Sequence, residues 1–216
     1  MTAARAGDLS ERRDRTKMPH AERQHQIVKA SRRIITTRGM EHLTVRALAE
    51  YLDLSEAALY RHVKSKVDII MLVLQDVQTS LLEDVHQAQQ EESSALAMLQ
   101  AILKAHLSYS ERRQGLSFLV LNEALRFEDK GLRKAAGHVI ERYLDTIHSV
   151  LSQGQANGDI RGDLDIEMAA RLFLGMVQSN VTVWALRSRS YPLAEGHDAL
   201  WDMYRRAIAS PAQPQL

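Results

Sequence analysis

The side chains best placed to do chemistry lie in one short run, Ser55-Glu56-Ala57-Ala58-Leu59-Tyr60-Arg61-His62, with Lys64 and Lys66 just behind it. None of these is a nucleophile beside a base; what the run offers is recognition. Glu56 can accept a hydrogen bond from cytosine N4. Ala57 and Ala58 are small enough to let a helix approach base edges, and an alanine methyl can meet a thymine methyl. Tyr60, Arg61 and His62 bring donors to the end of the run, and Lys64 and Lys66 add two positive charges. The types divide between reading and anchoring: Glu56, Ala57, Ala58 and Arg61 toward base edges, and Thr44, Arg46, Tyr60, His62, Lys64 and Lys66 toward phosphate oxygens.

Such side chains work only on a helix with a bare outer face, and the flanking residues supply one. Val45, Leu48, Ala49 and Leu52 recur at helical spacing behind Thr44, which is placed to cap them. Asp53-Leu54 makes the turn. Ser55 caps a second helix, Glu56 to His62, whose Leu59 packs on the first. Helix pairs of this kind cross steeply and leave the second helix free to enter a major groove. Ser65 and Asp68 have capping-box spacing at the start of the next helix, where free N–H groups and Lys66 are expected to converge on one phosphate-sized spot. The alternative is an ordinary helical corner with a solvated charged rim.

The charge distribution favours the first reading. Net charge over all 216 residues is only +1, but residues 1–66 carry 14 Lys+Arg against 8 Asp+Glu while residues 67–216 carry 14 against 19. The basic surface therefore coincides with the helical corner, and the remainder is acidic. There are no cysteines, which excludes disulfides, thiolate nucleophiles and sulfur-ligated zinc, and fits a reducing compartment. The polar amino terminus lacks the apolar core of a secretory signal. Ile166 to Leu186, the most apolar window, contains Glu167, Arg171, Gln178 and Asn180, too many polar groups for a membrane span. A cytoplasmic, nucleoid-associated protein is the expectation.

Residues 1–19 read as a disordered basic arm, with Arg5, Arg12, Arg13, Arg15 and Lys17; it is either a solvated tail or an arm that reaches a minor groove. Residues 20–81 read as a DNA-binding domain with its helix-turn-helix at 44–63, and residues 82–216 as a carboxyl-terminal helical domain. The first helix runs from His20 to Arg38, with Gly39 as a left-handed stop. A long helix from Lys66 to about Gln90 carries the stripe Ile70, Val73, Leu74, Val77, Leu81 and Val85, and is long enough to transmit movement. Helices follow over Ala95–Arg112, Leu116–Phe127, Gly131–Gln155, Ile166–Leu186 and Leu193–Ala209, with Ser93 or Ser94 and Asp165 as caps. No segment reads as a strand. The fold class is all-α: an amino-terminal three-helix unit followed by a helical bundle.

In that bundle Met168, Leu172, Gly175, Met176, Ser179 and Val183 form one seam whose small members allow close approach, a candidate for self-association through the last two helices. Trp201, Tyr204 and Ile208 either extend that surface or close the monomer's own core. Enzyme readings fare poorly. Glu83-x-x-His86 and Asp145-x-x-His148 have the spacing of a di-metal bundle site, but at about 100° per residue they point away from their helices' apolar stripes. No phosphate loop, HExxH or Ser/His/Asp order is present, so neither catalytic residues nor a metal or cofactor are expected.

From about His20 to Leu81 the chain resembles the DNA-binding domain of the TetR family of bacterial transcriptional regulators. The signs run in order: the long first helix, Gly39, then Leu43-Thr44-Val45-Arg46-x-Leu48-Ala49, then Leu54-Ser55 through Leu59-Tyr60-Arg61-His62, then Ser65-Lys66-x-Asp68. The run Ser55 to His62 is especially similar to the nucleoid-occlusion (SlmA-like) branch, and the stretch from Gly115 to Glu128 is similar to it more weakly. Two residues depart from the family pattern: Asp53 stands where glycine is usual, and Glu56 where a basic residue is common. Glu56 is expected to discriminate among sequences more than it anchors.

The resemblance implies a homodimer paired through a four-helix interface, binding double-stranded DNA at a palindromic operator and usually acting as a ligand-responsive repressor. It also implies a sensing pocket between the middle helices. Its candidate lining here is Ile102, His106, Phe118, Leu121, Val139, Tyr143, Phe173, Val177, Asn180 and Trp184, a composition suited to a small, mostly apolar effector with a few hydrogen-bonding groups. The similarity to the nucleoid-occlusion branch implies the rival function, a DNA-bound dimer acting on the cell-division machinery.

Overall fold

Helix periodicity dominates the sequence, and the computed structural model, which describes residues 19–211, carries it through: among the described residues there are nine α-helices, two 3₁₀ turns and no strand. The expected basic arm, apart from Pro19, lies outside the described residues. The helices are α1 (His20–Arg38), α2 (Val45–Tyr51), α3 (Glu56–Leu59), α4 (Lys66–Gln90), α5 (Ala95–Arg112), α6 (Leu116–Arg126), α7 (Lys130–Asn157), α8 (Ile166–Leu186) and α9 (His197–Ile208). The bounds of α1, α4, α5 and α8 are those their caps and periodicity predict. α7 is longer than expected at both ends. Asp129 accepts from the Leu132 amide at 2.7 Å to start it, and Gly158, in the left-handed region at φ 82, stops it. The expected last helix splits into a 3₁₀ turn, Leu193–Gly196, and α9.

The chain divides into two compact units between Val73 and Leu74, within α4. In the first unit, here the head, α1 packs on α2 and on the 3₁₀ turn Met40–His42, and α2 packs on α3. Ile27, Ala30, Ile34 and Ile35 recur at helical spacing along α1 and are all buried, as are Leu43, Leu48, Ala49, Leu59, Val63, Ile69 and Ile70. Each aliphatic side chain of the larger kind contributes roughly 1.5–3 kcal/mol by leaving water. Gly39 ends α1 at φ 101 and ψ 162. That is extended backbone with positive φ rather than the left-handed helical stop expected, because the chain must leave directly into the next turn. Its amide still reaches the Ile35 carbonyl at 3.2 Å. The Lys66 ammonium donates to the Met40 carbonyl at 2.8 Å, so the start of α4 is tied to that same turn.

In the second unit, the body, α7 lies along α8 while α5 packs on α7, α8 and α9. Leu99, Leu103, Ile147, Val150, Leu151, Phe173 and Val177 are among the residues of its core. Gly154 of α7 is required by close approach: a Cβ there would sit 2.5 Å from the Ile160 Cδ1 and 2.8 Å from the Ala95 Cβ. Trp201, Tyr204 and Ile208 face this core and close it, with the Tyr204 hydroxyl donating to the Ala169 carbonyl at 2.9 Å. Of the two readings of that stripe, the inward one holds. The outward side of α9 carries Met203, and the outward side of α8 carries Met168, Leu172, Gly175, Ser179, Val183 and Leu186, with Met176 half-buried. No described helix is long and apolar enough to cross a membrane.

Candidate DNA-reading corner and effector chamber

The corner of the head is built by caps. Thr44 Oγ1 accepts from the Ala47 amide at 3.0 Å and starts α2. The turn that follows puts Asp53 at φ 52, a left-handed conformation that aspartate tolerates better than most residues, and the Leu54 amide closes on the Ala49 carbonyl at 2.9 Å. Ser55 Oγ then accepts from the Ala58 amide at 3.2 Å and starts α3. α3 is shorter than the expected Glu56–His62. The Leu59 carbonyl accepts from both His62 and Val63, at 2.9 and 3.0 Å, and this tightening converts Tyr60–His62 from helix into turn. Burial of Leu59 and Val63 on either side of the tightened segment pulls the chain inward there.

Leu59 is the one fully buried residue of α3, which leaves the others outward. Thr44, Arg46, Ser55, Glu56, Ala57, Tyr60, Arg61 and Lys64 are exposed, whereas Ala58, His62 and Lys66 are half-buried. The cations are not equally free. Arg46 is held by Glu50 at 3.0 Å, and its pKa is raised by that hydrogen bond first and then by the charges of Glu50 and Glu56. Lys66 is turned onto Met40, as above. Asp68 accepts from the amides of Lys64 and Ser65 at 2.7 and 3.1 Å, while its own amide donates to Ser65 Oγ at 3.2 Å. The capping box is therefore formed, and Asp68 occupies the two amides just before the helix, those of Lys64 and Ser65. His62 stacks beside His20 at 5.0 Å between ring centroids, a neighbour that sequence spacing gave no sign of. Loss of hydration, then the charges of His20, Arg23 and Arg61, lower the His62 pKa. Arg61 and Lys64 are exposed cations of this corner.

The body encloses a chamber of about 30 Å³ among α4 to α8, and six of the expected residues line it: His106, Phe118, Leu121, Val139, Tyr143 and Val177. A wider surface groove of about 460 Å³ shares Phe118, Leu121, Ile140 and Gln178 with the chamber and adds Leu125 and Arg133. Ile102, Phe173 and Trp184 belong instead to the packed core, the Trp184 indole donating to the Tyr191 carbonyl at 2.8 Å. Asn180 bonds back to Met176 of its own helix at 2.8 Å and does not line the chamber. Ser110, Ser117 and Gln178 line it unexpectedly. The available signal was Ser110, one turn beyond His106 on the same helix face.

At the chamber wall His106 Nδ1 and the Tyr143 hydroxyl lie 2.8 Å apart. Burial pushes His106 down to about 4 and raises Tyr143 above its ordinary range, so both are neutral at physiological pH. Glu83, His86, Asp145 and His148 are exposed, and among the described residues no three acidic or histidine side chains gather as a metal site would need.

Two family models match this chain: that of the bacterial regulatory proteins of the tetR family over residues 27–71, and that of the YsiA-like protein carboxyl-terminal region over residues 74–206. The chain belongs to the TetR family. As a TetR-family protein it is a DNA-binding transcriptional regulator, and α2 and α3 lie within the segment matched by the first model. The nucleoid occlusion factor SlmA of Vibrio atlanticus (strain LGP32) is 26% identical over 187 residues, 86% of this chain and 95% of that protein. The fatty acid metabolism regulator protein of Bacillus subtilis (strain 168) is 23% identical over 168 residues, 78% and 86% of the two chains. Among solved structures, the transcriptional regulator FadR from Bacillus subtilis in complex with stearoyl-CoA shares the fold, with a TM-score of 0.76, 21% identity, and coverage of 85% of this chain and 98% of that one. By name, the first of these relatives is a nucleoid occlusion factor and the other two are regulators.

Proposed function

We propose that the protein is a homodimeric, cytoplasmic repressor, that two copies of the α2–α3 corner read a palindromic operator, and that a largely apolar effector of the long-chain acyl thioester class releases it. The observation that carries this reading is the outward face of α3. Leu59 alone anchors that helix, while Glu56, Ala57, Tyr60 and Arg61 stand exposed with no packing role. A single turn of helix reads few base pairs, so two copies one helical repeat apart are needed for a useful site. The exposed apolar stripe of α8, Met168, Leu172, Val183 and Leu186, supports pairing through α8 and α9, since patches of that kind mark contact surfaces. Residues 20–81 would then be the reading domain, preceded by a basic arm over 1–19, and residues 82–216 the sensing and pairing domain.

The effector class follows from the chamber wall, which is apolar apart from neutral polar groups, and from the stearoyl-CoA held by the Bacillus subtilis structural neighbour. A ligand shifts the regulator only through unequal affinity for its two states, so binding in the body must favour the form that does not fit the operator. Selection of random duplexes with the purified dimer tests the reading. The expected result is one two-fold-symmetric site, lost on adding long-chain acyl-CoA, with Glu56→Ala relaxing discrimination among site variants. No preference among duplexes at moderate ionic strength would refute it.

A second reading has its own support: the Ser55–His62 run and the 26% identity to SlmA favour a DNA-bound adaptor of the cell-division machinery. Sites scattered across the chromosome would support that role, and one site beside the protein's own gene the repressor.

A further inference from the structure

The chamber holds a hydroxyl that no described residue satisfies. Ser110 is 1% exposed, lines the chamber, and its Oγ has no hydrogen-bond partner among the described residues. Other helical hydroxyls in this chain behave differently: Ser31, Thr36, Thr37, Ser80, Thr146 and Thr182 all bond back to the carbonyl four residues earlier. That local bond is the ordinary fate of a serine inside a helix. One turn before Ser110, His106 lines the same chamber, with its Nδ1 2.8 Å from the Tyr143 hydroxyl. An unpartnered hydroxyl and a neutral imidazole thus line one small space, about 30 Å³, the room of roughly one water-sized group. A buried hydroxyl left unpaired keeps its full desolvation penalty, so the site is poised to gain from a partner that brings an oxygen.

We propose that Ser110 and His106 form a recognition subsite for a neutral oxygen, hydroxyl or carbonyl, carried at the buried end of an otherwise apolar effector. The proposal rests on the reading of the chamber as an effector site and narrows it. The subsite selects a neutral group because no Asp, Glu, Lys or Arg lines the chamber, and an ionised group would be buried there without a counter-charge. It accepts either oxygen type because its partners adapt. With the Tyr143 hydroxyl donating to Nδ1, the ring hydrogen sits on Nε2 and donates, as does the Ser110 hydroxyl, which suits a carbonyl. In the other tautomer Nε2 accepts, which suits a hydroxyl. The chamber has room for the oxygen-bearing end alone, and the rest of the molecule would lie in the adjoining groove of about 460 Å³, which shares Phe118, Leu121, Ile140 and Gln178 with it.

The test uses the full-length dimer and two matched probe series, straight-chain acyl-CoA thioesters of graded length and the same chains with a terminal hydroxyl, with affinities measured by calorimetry. The hydroxylated chains are expected to bind about tenfold more tightly, the worth of one satisfied buried hydrogen-bonding group. Ser110→Ala should erase that preference while leaving affinity for the plain chains equal or higher and operator binding intact; His106→Phe should reduce the preference in the same way. Equal affinity for both series in the wild-type protein, or a preference that survives both substitutions, overturns the subsite and leaves the long-chain effector standing. If neither series binds while operator affinity is normal, the effector reading falls and the subsite with it.

Discussion

The head and the body handle polar groups in opposite ways. The head turns its donors outward on a one-turn helix and keeps only aliphatic residues such as Leu48 and Leu59 beneath them. Glu56, Tyr60, Arg61 and Lys64 stay exposed to water, and the head's geometry is held by caps at Thr44, Ser55 and Ser65. The body folds its polar groups inward. His106, Ser110 and Tyr143 are all buried around one small space, so their protonation and pairing are set by the fold itself. A surface of the first kind responds to ionic strength and tolerates substitution of one side chain; a chamber of the second kind responds to pH and to whatever enters it.

That contrast can be broken experimentally. The largest effect expected is in the head: Leu59→Ala removes the one buried anchor of α3, costs about 2–5 kcal/mol, and should abolish duplex binding in anisotropy titrations. If binding persisted, α3 would be held by something other than its core. Next is the pH response of the body. Unfolded, His106 titrates near its ordinary 6.5, and folded at about 4, so the folded state holds fewer protons between those values. The stability is whole above about pH 6.5 and is lost as pH falls toward 4, by about 3 kcal/mol in all. Denaturation curves across that window should show the loss, and His106→Gln should flatten it.

Ser55→Ala should cost about 1 kcal/mol of stability by deleting the α3 cap, seen in the same denaturation assay, with duplex affinity lowered but sequence preference kept. The smallest effect separates two neighbouring lysines. Lys64→Ala should weaken binding to all duplexes alike and reduce the salt slope by about one. Lys66→Ala should act mainly on stability, because its ammonium holds the Met40 carbonyl. Equal salt slopes for the two variants would show Lys66 to be a phosphate ligand after all.

The head was legible in the sequence because its signals are local. Caps, turn residues and apolar spacing at Thr44, Asp53, Ser55 and Asp68 are each specified within four residues, and each forms as expected. What escaped was set mostly by partners far along the chain, the pairing of His62 with His20 and the capture of Lys66 by Met40, together with the local tightening at Leu59 that ends α3 early. In the body, periodicity predicted the helices but could not tell wall from core. Ile102, Phe173 and Val177 share residue type and helical face pattern, yet only Val177 lines the chamber. Of the polar exceptions, His106 and Tyr143 lie at the chamber wall, while the Asn180 amide bonds back to its own helix.

The Asp68 cap has a consequence for how the head meets a polyanion. Its carboxylate occupies the Lys64 and Ser65 amides, so a negative charge of the protein's own already sits at the partial positive end of the α4 dipole and offsets it. Little fixed attraction remains at that end, and the pull toward phosphodiesters falls to mobile side chains whose counterions exchange with the medium. Residence on DNA is therefore tuned from outside by the ionic composition of the surroundings, with the backbone acting as scaffold and not as glue.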